Sequence, residues 1–160
     1  MGPLKIKPEP GPGGREGVWV EFDVAGSPTF VSRDEWVGVD LDGTLSRTDN
    51  PGHFLPPYPV GEPIADMIEM VKSLLAAGVR VKIFSARACE PERIPGVQDW
   101  AERHGLGRLE VTNQKDFALI RFYDDRAIQI CPNLGFSVAA AVVNSTPHVL
   151  KGEPQPSYQR

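Results

Sequence analysis

Along residues 17–131 the apolar positions change period several times, and each change marks an element. Residues 18–36, "VWVEFDVAGSPTFVSRDEW", alternate on either side of a Gly-Ser-Pro turn signal; a hairpin, an extended edge strand and a loop all share that pattern. Residues 36–41 make an apolar, β-branched run of the kind a strand buried on both faces needs, and the loop that follows, 43–61, has no period of its own. The spacing then predicts a helix over 62–77: Pro63 suits its first turn, Ile64, Met67, Ile68, Val71, Leu74 and Leu75 form one stripe, and Gly78 is placed to end it. A strand at 79–84 follows, then a helix at 94–105 with Val97, Trp100, Ala101 and His104 on one face. Strands at 108–112 and 118–125 complete the series, "AIQICP" (127–132) offers a fifth, and "FSVAAAVV" (136–143) fits either a strand or a short helix.

Strands alternating with helices imply βαβ units, hence an α/β fold with a mainly parallel sheet. Ligands of such sheets bind at the carboxyl ends of the strands, beside the point where strand order reverses. Position alone therefore selects Asp40 and Asp42, then Ser85 and Arg87, then Asn113 and Lys115, then Asp124 and Asp125. Alternation puts Asp40 and Asp42 on the same side while Leu41 turns into the fold. Several carboxylates in a small volume repel, and a cation, a shared proton or a lysine relieves them. An all-oxygen set with neither histidine nor thiolate favours a hard ion, and Mg²⁺ suits a few carboxylates with waters and a phosphate oxygen. With Lys115, the Ser85 hydroxyl and the backbone N–H groups of the "DGT" turn, the constellation suits a bound phosphoryl group.

Composition narrows the class. A chain of 160 residues with net charge −4 and 41% hydrophobic residues is a soluble globular protein with room for one core. The expected organisation is a flexible Pro/Gly-rich tail at 1–17, one domain at 18–150 whose chemistry lies in 36–131, and a tail at 151–160. No basic footprint for nucleic acid is present, and no continuous apolar stretch is long enough for a membrane. Cys89 and Cys131 have no CxxC spacing, which speaks against a disulfide framework or zinc site and for ordinary thiols in the cytoplasm.

The order "DLDGT", an apolar strand ending in Ser85 ("VKIFSAR"), Lys115, and an apolar strand ending in "DD" resembles the four motifs of the haloacid dehalogenase superfamily, over residues 36–131. The resemblance implies a Rossmann-like three-layer α/β sandwich and a Mg²⁺-dependent phosphatase. It makes Asp40 the nucleophile that forms an aspartyl-phosphate, and Asp42 the acid that protonates the leaving oxygen and then the base that activates water. Asp40, the backbone carbonyl of Asp42 and Asp124 would be metal ligands, with Asp125 acting through water or as a hydrogen-bond acceptor. Ser85 and Lys115 would hold the phosphoryl oxygens, and Lys115 would also neutralise Asp40.

Members of that superfamily carry cap domains in one of two gaps. Here the gap at 43–61 is a loop and the gap at 87–112 is used up by one helix and one strand, so the chain resembles the capless members. Their open sites accept large substrates or are closed by a neighbouring copy, which makes a homo-oligomer covering the site an expectation. The loop is the one element placed as a lid, with Thr44, His53, Phe54 and Tyr58 as substrate contacts. Arg87 and Arg126 suit either substrate contact or pairing with a site carboxylate. The leading reading is a hydrolase of a small phosphorylated metabolite or nucleotide, ahead of a polynucleotide end or a phosphoprotein. A phosphoaspartate receiver and a catalytically silent binding domain are the competitors; in a receiver the acidic pair comes first in the chain, whereas here it comes last.

Overall fold

The computed structural model describes residues 4–22 and 27–139. The chain forms two compact units, Met1–Asp125 and Arg126–Arg160. Among the described residues the first holds seven strands, β1 (Lys5–Lys7), β2 (Gly17–Glu21), β3 (Thr29–Ser32), β4 (Trp36–Val39), β5 (Arg80–Phe84), β6 (Glu110–Thr112) and β7 (Leu119–Tyr123). Two helices, α1 (Ala65–Ala76) and α2 (Ile94–Arg103), lie between β4 and β5 and between β5 and β6. The fold is α/β: a parallel sheet in the order β6-β5-β4-β7 and a small antiparallel sheet in the order β1-β2-β3.

Register explains the core. Val37 lies beside Val81, Val39 beside Ile83, and Ile83 beside Val111, so all five side chains share one face. They are buried in one cluster with Ile68, Val71 and Leu74 of α1 and Val97, Trp100 and Ala101 of α2, which places both helices on that face. Two crossovers of the same hand stepping in the same direction give this arrangement. On the opposite face Gly38 lets the neighbouring rings close in; a Cβ there would lie 2.9 Å from Phe122 and 3.2 Å from Trp36. Phe84 and Phe122 meet edge to face at 4.8 Å, and the Lys82 ammonium sits 4.6 Å over the Trp36 ring.

The hairpin, one of three readings of residues 18–36, is the one that forms: Gly17 pairs with Ser32 and Val20 with Thr29. Composition placed residues 5–7 in a tail, yet they pair with β2, Ile6 facing Val20, because "LKI" continues the alternation beyond the Pro/Gly segment. Helix α1 starts three residues later than its pattern predicts. Glu62 gives its carbonyl to the Arg47 N–H at 2.8 Å and Pro63 bridges to Ser46, so both are committed to closing the base of the loop. Gly78, at φ 81°, ends the helix as expected, with Val79 N–H donating back to the Leu74 carbonyl at 3.0 Å.

In the second unit residues 129–138 fold back on themselves, Cys131 N–H donating to Phe136 O and Val138 N–H to Gln129 O, each at 2.9 Å. A single bridge, Ile130 to Ser137, is all that stands where a fifth strand was expected. Val138 and Ala139 are helical; residues 140–143 and the expected 151–160 tail lie outside the described residues. Cys89 and Cys131 are free thiols, and among the described residues no helix is long and apolar enough to cross a membrane.

Candidate active site

Strand order reverses at β4, with β5 on one side and β7 on the other. The crevice predicted for ligands is therefore at the carboxyl ends of β4 and β7. Asp40 follows the first strand, and Asp124 and Asp125 follow the second; Asp40 N–H donates to the Tyr123 carbonyl at 2.8 Å and extends the ladder by one bond. Oxygens of Asp40, Asp124 and Asp125 lie within 4.8 Å of one another. Burial pushes the Asp40 carboxyl up to about 7; the Leu41 N–H opposes the shift, and the charges of Asp124 and Asp125 add to it. Such a cluster, with hard oxygen donors only, is suited to a divalent cation.

Asp42 is not in that cluster. Strand pairing of β4 stops at Val39, and Leu41 begins a tight turn whose carbonyl accepts the N–H groups of Thr44, Leu45 and Ser46 at 3.3, 2.9 and 2.8 Å. The alternation that would send Asp40 and Asp42 to the same place ends with the strand. The Asp42 carboxylate is instead gripped by Arg87, whose Nε and Nη2 donate to its two oxygens at 2.8 Å each, and by His53 Nε2 at 2.8 Å from Oδ1. Arg87 also donates to the carbonyls of Tyr58 and Pro59, the latter at 3.2 Å. Of the two roles open to Arg87, pairing with a site carboxylate is the one the contacts supply.

The other predicted positions are distributed around these two groups. Thr44 holds Asp125: its hydroxyl donates to Oδ1 at 3.3 Å and accepts the Asp125 N–H at 3.1 Å. Gly43 makes room beside it, at φ 94° and with a Cβ position only 2.7 Å from Asp125 Oδ2. Ser85 is buried, takes the Arg87 N–H on its hydroxyl at 3.2 Å and opens the 3₁₀ turn Ala86–Cys89, so it orients Arg87. Lys115 does not sit against Asp40; its ammonium lies 5.4 Å over the Phe122 ring. The β6–β7 connection is fixed at Asp116 instead, where one carboxylate oxygen accepts the Trp36 indole N–H and the Ala118 N–H, both at 2.8 Å.

The loop residues differ from a row of substrate contacts. His53 is 1% exposed, beneath a Phe54 that is 60% exposed and meets it edge on at 4.6 Å. Tyr58 adopts φ 56° and lies under the Arg93 guanidinium at 4.0 Å. His53 as a partner of Asp42 has no signature in the sequence, because the contact is made by an aperiodic loop. Compared with known proteins, the chain matches no family model, no curated protein and no solved structure.

Proposed function

We propose that the protein is a Mg²⁺-dependent phosphomonoester hydrolase acting through an aspartyl-phosphate on Asp40, with a small phosphorylated metabolite or nucleotide as substrate. The observation that carries this reading is the place of Asp40: at the topological switch point, in the "DLDGT" turn, within 4.8 Å of the Asp124 and Asp125 oxygens. On this reading the parallel sheet is the centre of a Rossmann-like three-layer sandwich, and α1 and α2 form one of its helical layers.

Asp40, Asp124 and Asp125, together with the Asp42 backbone carbonyl, would hold the cation. When bound, Mg²⁺ supplies positive charge that neutralises the carboxylates and the phosphoryl oxygens. Burial is the main cause of the raised Asp40 pKa and the charges of Asp124 and Asp125 add to it, and a cation would relieve both, so the three carboxylates fit the ion. In the first step the Asp40 oxygen forms a bond to phosphorus as the ester P–O bond breaks, and a proton from Asp42 goes to the departing oxygen. In the second step a water oxygen bonds to phosphorus, its proton passes to Asp42, and the bond from Asp40 to phosphorus breaks to release phosphate. Lys115, whose ammonium lies 5.4 Å over the Phe122 ring, would turn toward the cluster to hold the phosphoryl oxygens.

The test is hydrolysis of 4-nitrophenyl phosphate with and without Mg²⁺. Asp40→Asn is expected to abolish Mg²⁺-dependent turnover, by at least about 1000-fold, while the circular dichroism spectrum and melting transition remain those of a folded protein. Turnover that survives in this variant would remove the mechanism. Stoichiometric labelling of Asp40 without turnover would point to a receiver instead.

A further inference from the structure

Arg87 and His53 stand out among the polar side chains of the fold because both are aimed at one carboxylate and both also engage the loop. The Asp42 side chain is 16% exposed, that of Arg87 10% and that of His53 1%, so the contacts lie largely away from water. Three polar contacts fall on two oxygens: the planar guanidinium meets the carboxylate with a two-pronged fork, and His53 Nε2 lies 2.8 Å from Oδ1, where an ionised carboxylate can only accept and so selects the tautomer with its hydrogen on Nε2. Arg87 is oriented in turn by Ser85, and two further N–H groups of its guanidinium donate to the Tyr58 and Pro59 carbonyls. Both ends of segment 53–59 are thus tied to Asp42, one directly and one through Arg87.

We infer that Arg87 and His53 are positioning residues for Asp42, holding its carboxylate as the proton acceptor of the second step and clasping the 43–61 loop to it. The inference rests on the hydrolase reading above. A carboxylate whose oxygens already accept three hydrogen bonds is oriented as an acceptor. That is the form which takes a proton from water while the water oxygen bonds to phosphorus and the Asp40 oxygen leaves. The clasp therefore acts on breakdown of the phospho-enzyme. It also sets apart the roles of two arginines: Arg87 is spent on Asp42 and the loop, whereas Arg93 stacks on Tyr58.

Two readouts test this. In rapid-mixing experiments with 4-nitrophenyl phosphate and Mg²⁺, Arg87→Ala should keep a burst of one nitrophenolate per site. Its steady-state rate should fall about 10-fold or more, KM should stay within about twofold, and acid quenching should recover accumulated phospho-enzyme. His53→Ala should show the same pattern to a smaller degree, and His53→Gln, which restores a donor, should return toward wild type. Arg87→Lys keeps the charge without the fork and should recover only part of the rate. Adding Arg87→Ala to Asp42→Asn should cost little more than Asp42→Asn alone, since both remove one device. A raised KM with a burst slowed in proportion, or losses that multiply in the double variant, would overturn the inference in favour of a substrate contact or a merely structural role. The second readout needs no turnover: in amide exchange Arg87→Ala and Asp42→Ala should each deprotect segment 50–60 and leave β4 and β5 unchanged. Unchanged protection in the loop would overturn the clasp. A wild-type protein that neither turns over the ester nor acquires phosphate, yet shows the coupled loss of protection, would defeat the hydrolase reading and the catalytic role together while leaving the clasp standing.

Discussion

Gly43 shows how little freedom the acidic turn allows a single residue. Its φ of 94° lies where L side chains are strained, and the space a methyl would need is filled by an Asp125 carboxylate that Thr44 holds in place. Gly43→Ala is expected to destabilise the protein by more than about 1 kcal/mol and to displace Asp125 from Asp40. Urea denaturation reads the first effect and the Mg²⁺ dependence of 4-nitrophenyl phosphate turnover the second; a variant with wild-type values for both would mean that the turn can relax. At this scale the sequence is legible where the backbone dictates the chemistry. "DLDGT" announces a glycine turn after a buried strand, and its aspartates stand where the sheet places ligands. Legibility ends past Val39, where the strand stops: the two aspartates look equivalent by alternation, yet one joins an anionic cluster and the other an arginine fork.

Elements whose period is strong were readable, and their ends were not. The stripe of α1 and the face of α2 follow from helical spacing, and Val97, Trp100 and Ala101 are buried together as that spacing predicts. The start of α1 moved because Glu62 and Pro63 serve the loop base, a demand made by Arg47 and Ser46 far earlier in the chain that periodicity cannot register. The loop itself is the largest gap in what could be read, since its order comes from contacts with Asp42, Arg87 and α2 rather than from a pattern of its own. Trp100 makes the last of these, its indole N–H donating to the Gly61 carbonyl at 2.9 Å. Trp100→Phe keeps the apolar ring but leaves that carbonyl without its donor, an expected cost of about 1–3 kcal/mol. Amide exchange should then rise across residues 47–61 more than in β4 or β5. Equal increases in both would place the effect in the core packing rather than in the tie between helix and loop.

For the molecule as a whole, the acidic cluster couples folding to protons, and on the hydrolase reading it is expected to couple folding to a divalent cation in the opposite direction. In the metal-free protein the Asp40 carboxyl titrates at about 7 instead of 3.8, chiefly because it is buried. Between these two values the folded chain keeps a proton that the unfolded chain releases, so the stabilising contribution is complete below the lower one and is lost as pH rises through the upper one. Asp49 and Asp116 are shifted the other way, by an arginine and by the Trp36 indole respectively, so they titrate below this window. With a chelator present, the melting temperature is therefore expected to fall from pH 5 to pH 8, and Asp40→Asn, which has no proton to lose there, should flatten the decline. On the hydrolase reading Mg²⁺ added at pH 8 is expected to take the place of the proton, and a ligand that binds only the folded state at 100 times its dissociation constant adds about 2.7 kcal/mol. The ion should consequently raise the melting temperature of the wild-type protein more at pH 8 than at pH 5. Scanning calorimetry across that grid separates the causes: if the wild-type and Asp40→Asn profiles run parallel in chelator, the pH dependence arises outside the cluster, and if Mg²⁺ stabilises both proteins equally, the ion is held somewhere other than at Asp40.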